Sequence, residues 1–159
     1  MRHLPKHLRE RWRYLAATLE TWPDADLERE AFQRSLWFAA QNLVGDVGSA
    51  AADLRVVDFA HDDGTGWFVV RTRRGETGRA RAALSCVDAV YDAPVRVTVR
   101  GVSGTIRAAT EKYLAGRETD AREESVVFRG ETRRATVRDD LIDVAVDGTL
   151  VGATRLDTA

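Results

Sequence analysis

Segments with the pattern of a β-strand and segments with the pattern of an α-helix alternate along the chain in an order that few folds accommodate. Runs that indicate β-strands occur at residues 12–20, 54–59, 67–72 and 95–102, and the last of these alternates with the two-residue period of a strand. A helical period separates the first strand from the second and the third from the fourth, and a third helical segment follows the fourth strand. Two strand–helix units around hairpin-linked strands predict an α/β (α+β) sandwich of the ferredoxin-like, RRM-like split βαβ type with an extra C-terminal helix.

The first predicted helix carries more apolar surface than a sheet can cover. Leu36 and Leu43 recur on one helical face, and Gly45 is placed to end the helix as a C-cap. Trp37 and Phe38 add apolar area on other sides of the same helix. Because a sheet covers only one stripe of a helix, the excess needs another cover, from elsewhere in the chain or from a partner protein.

The fourth predicted strand turns through residues 101–105 into a helix that ends near Gly116. The glycines of this corner allow the backbone to turn, which is a sufficient structural explanation for them. The helix N-terminus could also hold a phosphate, since Arg100 precedes it and Arg107 and Lys112 follow it. Both interpretations remain open from the spacing of the residues.

The charge is unevenly distributed along the chain. Residues 1–117 carry 18 Lys and Arg against 15 Asp and Glu, whereas residues 118–159 carry 6 against 10. A mildly basic body with an acidic tail suggests an anionic partner for the body. Arg71, Arg73 and Arg74 end the third strand, where they could belong to a basic surface or to a solvated sheet edge.

The acidic tail is expected to be a separate unit. We place the ferredoxin-like domain at residues 1–117, with a basic N-terminal arm, and a small β appendage at residues 118–159. Short strands separated by turn residues are predicted in the appendage at residues 126–128, 136–137, 141–146 and 150–153. The tail could shield the basic surface before an anionic partner binds, or it could only solvate the protein.

No hydrolytic or metal-binding constellation is evident. His3, His7 and His61 lie in the arm or beside a turn, where solvated histidines are usual. The adjacent acidic pairs at residues 62–63 and 139–140 are better explained as turn formers than as metal ligands. We therefore predict no catalytic residue and no metal site in this chain.

The single cysteine and the absence of a long apolar run indicate the cellular compartment in which the protein is expected. Cys86 excludes an internal disulfide and a cysteine-based zinc site, and the apolar run around it predicts a small core residue. No segment has the length of a membrane span, and the N-terminus has no apolar signal core. The expected location is the cytoplasm, without membrane contact.

An RRM presents stacking aromatic residues on its first and third strands. Trp12, Tyr14, Trp67 and Phe68 are the candidates in this chain. The third strand lacks the consensus glycine and paired aromatics, so sequence-specific base stacking is not predicted.

Three ordered blocks resemble archaeal ribonuclease P protein component 2. Residues 4–14 have the form LPxxLRxRxRY, residues 35–54 supply the second block, and residues 99–113 contain GVSGTIR followed by Lys-Tyr. Only two of the 24 basic residues are lysines, a choice that fits a GC-rich genome or a salt-rich cytosol. A haloarchaeal member of the family is therefore expected.

The resemblance implies a function without catalysis by the chain itself. Family members join component 3 and other subunits of ribonuclease P, an endoribonuclease whose RNA removes the 5′ leader of precursor tRNA. The resemblance thus implies ribonuclease P RNA and component 3 as partners, with precursor tRNA contacted indirectly. No cofactor is expected on the protein, and Mg²⁺ is implied for the RNA of the holoenzyme.

This interpretation predicts which residues contact RNA and which contact a partner protein. The residues expected to face RNA phosphate are Arg9, Arg11, Arg13, Arg100, Arg107 and Lys112. The residues expected to face a partner protein are Trp37, Phe38 and Leu43. An alternative remains, since fold does not dictate function: a ferredoxin-like small-metabolite-binding or oligomerisation module unrelated to RNA.

Overall fold

The computed structural model of the chain describes residues 4–115, 122–138 and 141–158. A single 3-10 turn, Lys6–Leu8, precedes the first strand. The strands are β1 Trp12–Thr21, β2 Arg55–Asp62, β3 Thr65–Arg73, β4 Ala89–Val90, β5 Ala93–Ser103, β6 Arg122–Phe128, β7 Glu131–Arg138, β8 Leu141–Val146 and β9 Thr149–Thr154. The helices are α1 Arg29–Ala52, α2 Thr77–Ser85 and α3 Ile106–Tyr113.

The first five strands form one antiparallel sheet in the order β2-β3-β1-β5-β4. The first strand is central, because it pairs with β3 on one edge and with β5 on the other. Two strand–helix units therefore interleave, with α1 connecting β1 to β2 and α2 following β3. The arrangement confirms the predicted ferredoxin-like sandwich.

One face of this sheet and the helices α1 and α2 enclose the main core. Phe32 of α1 packs against Phe68 of β3 with ring centroids 4.4 Å apart, and both side chains are fully buried. The predicted alternation on the fourth long strand holds, since Val95, Val97 and Val99 face this core. Burial of these apolar side chains is the main contribution to the stability of the sandwich.

Helix α1 is longer than the sequence pattern indicates. Gly45 has the positive φ of 71° expected of a C-cap, but the chain resumes a helix after it and ends at Ala52. Asp53, at a φ of 48°, is the actual C-cap. Gly45 thus interrupts the helix without ending it, because Gly48 and Ala52 still find buried positions beyond the break. No helix in the described part of the chain is long and apolar enough to cross a membrane.

The hairpin between β2 and β3 is as predicted, and the other differences lie near the ends of elements. Asp63 and Gly64 both have positive φ, which is the conformation of a tight two-residue hairpin turn between β2 and β3. The segment before β5 contains an unpredicted two-residue strand, β4, that pairs with its start. Cys86 is exposed immediately after α2, so its prediction as a core residue was wrong. Its apolar neighbours Leu84 and Val87 are buried in the main core, whereas Cys86 itself lies on the outer side.

Helix α3 covers part of the opposite face of the sheet. Ala109 and Leu114 are buried there together with Ala16 and Val69. Gly101 makes the close approach possible, because a Cβ atom built on it would lie 2.2 Å from the ring of Tyr113. The glycine in the predicted corner is therefore required by packing.

Gly101→Ala should destabilise the protein by about 1 to 3 kcal/mol, since the added methyl group overpacks this contact. In a Tyr113→Ala background the same substitution should cost much less, because the clashing ring is absent. Urea denaturation of the four variants measures this coupling. Gly78→Ala is the control, since nothing lies within 4 Å of its Cβ position. A cost for Gly101→Ala that does not depend on Tyr113 would contradict the assignment.

The C-terminal residues form a second antiparallel sheet in the order β6-β7-β8-β9. Strand β8 has the predicted bounds, β6, β7 and β9 are longer than predicted, and β6 begins at Arg122, before the predicted residues 126–128. This sheet has a small apolar core of its own, which includes Phe128, Val137 and Ile142. Gly116, expected near the end of α3, lies outside the described residues, as do the acidic pair at residues 139–140 and His3.

A buried ionic cluster joins the two sheets. Arg138 of β7 is 2% exposed and donates to the carbonyl oxygens of Thr21 (2.7 Å) and Gly64 (2.6 Å) in the first sheet. It also donates to Asp143 of β8 at 2.9 Å, and Asp143 in turn lies 2.6 Å from Arg96 of β5. Burial raises the pKa of Asp143 to about 6, although both arginines oppose that shift. The carboxylate therefore depends on these arginines to stay ionised.

Arg138→Met should lower the free energy of unfolding by about 3 to 5 kcal/mol, because it leaves Asp143 buried with one partner fewer and removes a donor from the carbonyl oxygens of Thr21 and Gly64. Urea denaturation at one salt concentration measures the loss. Arg122→Met is the matched control, since Arg122 is an exposed arginine that pairs with Glu124, and it should cost less than about 1 kcal/mol. Equal losses for the two variants would show that the cluster does not join the sheets.

Candidate nucleic-acid interface

Arginines gather where β1 begins and β3 ends. The arm reaches this end of the sheet as an exposed segment, in which Arg9 donates to the carbonyl oxygen of Leu4 at 2.9 Å. The backbone amide of Arg74 donates to the carbonyl oxygen of Arg11 at 2.8 Å, which holds the arm beside β3. We call this region the basic end; its members are Arg9, Arg11, Arg13, Arg71 and Arg74.

The basic end differs from the other end of β1 in its ion pairing. Within the described residues, none of its five arginines has a carboxylate oxygen within 4 Å. At the other end of β1, by contrast, Arg96 and Arg138 are paired with Glu20 and Asp143. Positive charge that is not neutralised within the molecule is available to an anionic partner.

The corner at residues 101–105 lies beside the basic end. The Nη1 atom of Arg13 is 3.8 Å from the Cβ position of Gly104, so the arm and the corner meet. Thr105 caps α3, because its hydroxyl oxygen accepts from the amide of Ala108 at 3.1 Å. The helix terminus is thus partly satisfied by its own cap, and Arg13 brings a positive charge beside the corner.

The three remaining predicted phosphate contacts have different surroundings. Arg107 is 86% exposed but bonds Glu111 at 2.8 Å, so its charge is balanced locally. The Nζ atom of Lys112 lies 5.3 Å from the centre of the Tyr113 ring. Arg100 is half-buried at a β-bulge, where its Nε donates to the hydroxyl of Thr18 at 3.0 Å. Arg100 therefore lies farther along the sheet than the basic end.

The predicted partner-facing residues lie on the outer side of α1. Trp37, Phe38 and Leu43 are 37%, 64% and 47% exposed. The indole of Trp37 is held in place by its hydrogen bond to the carbonyl oxygen of Leu54, 2.8 Å long. Sequence reasoning missed Val47, which is 86% exposed and lies just after the break at Gly45. The described chain thus leaves this apolar surface uncovered.

An open groove of about 490 Å³ runs along the same part of α1. Its lining includes Trp37, Gln41, Asp46, Ser49 and Asp53. In the described residues, no three His, Cys, Asp or Glu side chains come together in a way that could hold a metal ion. Because its lining residues lie on or beside α1, the groove is part of the exposed α1 surface and adjoins the residues expected to face a partner.

The comparisons with known proteins agree with this architecture. The model of the Rpp14/Pop5 family matches residues 13–114, which include all of the first sheet except Trp12, together with the three helices α1, α2 and α3. Ribonuclease P protein component 2 of Natronomonas pharaonis is 56% identical over 157 residues, covering 99% of this chain and 98% of that protein. The same component of Haloarcula marismortui is 57% identical over 159 residues, covering 99% of both chains.

The C-terminal sheet lies beyond the residues that the family model matches. The alignments with the haloarchaeal proteins nevertheless extend over nearly the whole chain, so the tail is included in that likeness. The component 2 protein of Halorubrum lacusprofundi adds a further case, at 52% identity over 158 residues and 99% of each chain. The chain therefore belongs to the Rpp14/Pop5 family, where it groups with ribonuclease P protein component 2 of haloarchaea.

Proposed function

We propose that this chain, as a protein subunit of ribonuclease P, supports the RNA of that enzyme in removing the 5′ leader of precursor tRNA. The observation that carries the proposal is the likeness to component 2 proteins over nearly the full chain. The chain supplies no catalytic group in this proposal, and the Mg²⁺-dependent chemistry belongs to the RNA. The comparisons favour this function over a metabolite-binding module.

The basic end is the surface through which we expect the chain to contact RNA phosphates. Its arginines have planar guanidinium groups that suit bidentate phosphate contacts, and Arg9 and Arg11 are exposed. Arg13 and the corner beside it would extend the contact toward α3. Lys112 should add more than Arg107, because Glu111 already balances the charge of Arg107.

Replacing Arg9, Arg11 and Arg13 together by glutamine should weaken binding to ribonuclease P RNA and reduce its salt dependence. Each lost phosphate contact lowers the slope of log affinity against log salt by about 0.7 to 0.9, because fewer counterions are released. Affinities of the full-length chain measured over a series of KCl concentrations give the slope.

The control for that experiment removes the same amount of charge elsewhere. Arg29, Arg79 and Arg122 are exposed and each pairs with a neighbouring glutamate. Replacing these three by glutamine should leave the slope nearly unchanged. If both triple variants show the wild-type slope, the basic end does not bind RNA phosphate.

The exposed surface of α1 is the proposed contact with a partner protein, component 3 of the same enzyme. Trp37, Phe38 and Leu43 supply aromatic and aliphatic side chains of the kind that dominate interface energetics. Their exposure in the described chain supports this role, since an apolar surface of this type is usually covered in an assembly.

Phe38→Glu and Leu43→Glu together should weaken binding to purified component 3 about tenfold or more, because charged groups would be buried at the interface. Calorimetry with the full-length proteins measures the affinity. Leu156→Glu is the control, since Leu156 is an apolar residue of the C-terminal segment that is 97% exposed. Wild-type affinity of the double variant for component 3 would rule out this surface of α1.

A further inference from the structure

The sheet face opposite α1 and α2 carries an aromatic and basic patch between the arm and α3. The register of β1 and β3 places Trp12 opposite Arg73 and Tyr14 opposite Arg71. Directly paired residues on one face of an antiparallel sheet lie close enough for their side chains to interact. Since β1 and β3 are adjacent at the centre of the sheet, this patch is built on a rigid part of the fold.

The guanidinium group of Arg71 lies over the ring of Trp12 in this patch. The guanidinium carbon of Arg71 is 3.9 Å from the centre of the Trp12 ring, whereas that of Arg73 is 5.6 Å away. Arg73 is held by Glu10 at 2.9 Å and by Asp53 at 3.6 Å. Across the described ranges, Arg71 has no such carboxylate partner, and its Nε atom is buried without a hydrogen bond. The stack on Trp12 is thus the main contact that positions Arg71.

We propose that the Arg71–Trp12 stack binds an unpaired nucleotide of RNA, with the base stacked on the pair and the adjacent phosphates on the basic end. This inference rests on the proposed RNA-binding function. Guanidinium planes and indole rings are both surfaces on which unpaired bases stack, and RNA-binding proteins with this sheet topology use β1 and β3 for that purpose. The occupant is charge-complementary, because the stack adjoins arginines that have no carboxylate partner in the described chain.

The other aromatic residues on these strands do not offer such a site. Phe68 is fully buried in the main core on the opposite face. Tyr14 and Trp67 are half-buried and pack against the cluster formed under α3. Trp12 lies at the start of β1, before the part of the strand that α3 covers. The site therefore consists of one stacking pair, which is expected to accept any base because stacking does not read base edges.

A comparison of two RNA probes tests the proposal with the full-length chain. The probes are a labelled oligouridylate of about ten nucleotides and a blunt RNA duplex of about sixteen base pairs. Arg71→Lys keeps the charge but removes the planar group, and Trp12→Leu removes the ring. Each should weaken binding of the oligouridylate about fivefold or more and change duplex binding less than about twofold.

Arg134→Lys is the matched control, because Arg134 also lies over a tryptophan, Trp22, with its guanidinium carbon 4.4 Å from the ring centre. That pair is surrounded by Glu123 and Asp24, so the substitution should change neither affinity. Circular dichroism and the unfolding midpoint show whether Trp12→Leu is folded, and Arg71→Lys tests the stack if it is not.

The remaining outcomes overturn the proposal in distinguishable ways. If Arg71→Lys binds the oligouridylate as wild type does, or if both probes lose affinity equally, the stack does not recognise an unpaired base. Loss of binding in the Arg9, Arg11 and Arg13 variants would still support the proposed function in that case. A wild-type chain that binds neither probe nor ribonuclease P RNA would overturn both. Competition by polyglutamate that depends on Arg71 would reassign the patch to an acidic protein partner.

Discussion

Strand β1 is hydrogen-bonded along both edges, to β3 and to β5, and the rest of the molecule takes its position from this strand. Its inward side chains, such as Leu15 and Leu19, lie in the main core. Its outward side chains include Ala16, against which α3 packs, and Glu20, which belongs to the ionic cluster. The arm enters at its first residue, and the C-terminal sheet is bound at its last.

The two ends of β1 therefore have opposite electrostatic characters. The strand contains ten residues, which span roughly 30 Å of extended chain. At its start, the arginines of the basic end have no carboxylate partner among the described residues. At its end, Arg138 and Asp143 hold the acidic C-terminal unit in place through buried contacts. A tail held there is badly placed to shield the basic end, so its acidic residues are better explained by solvation.

The sequence predicted the sandwich correctly because its signals are local. The alternation along β5 and the helical spacing of α1 depend on neighbouring residues, and the turn at Asp63 and Gly64 depends on the residues' own backbone preferences. The roles of Arg138 and Arg71 could not be predicted in this way. Arg138 is buried by contacts with Thr21 and Gly64, which are distant in sequence, and nothing in its local pattern distinguishes it from the exposed Arg134.

The amino-acid order was sufficient for the fold class, the family likeness and the set of basic residues that could meet RNA. Tertiary structure was needed to sort those residues, since ion pairing depends on distances between side chains from different strands and helices. Arg100 was thereby placed against the hydroxyl of Thr18 and Arg13 beside the corner at Gly104, whereas the pair of Arg107 and Glu111 is local, four residues apart on α3. The corner was predicted as a strand-to-helix turn, but its glycine is explained by the ring of Tyr113, a contact that forms only once α3 has packed on the sheet.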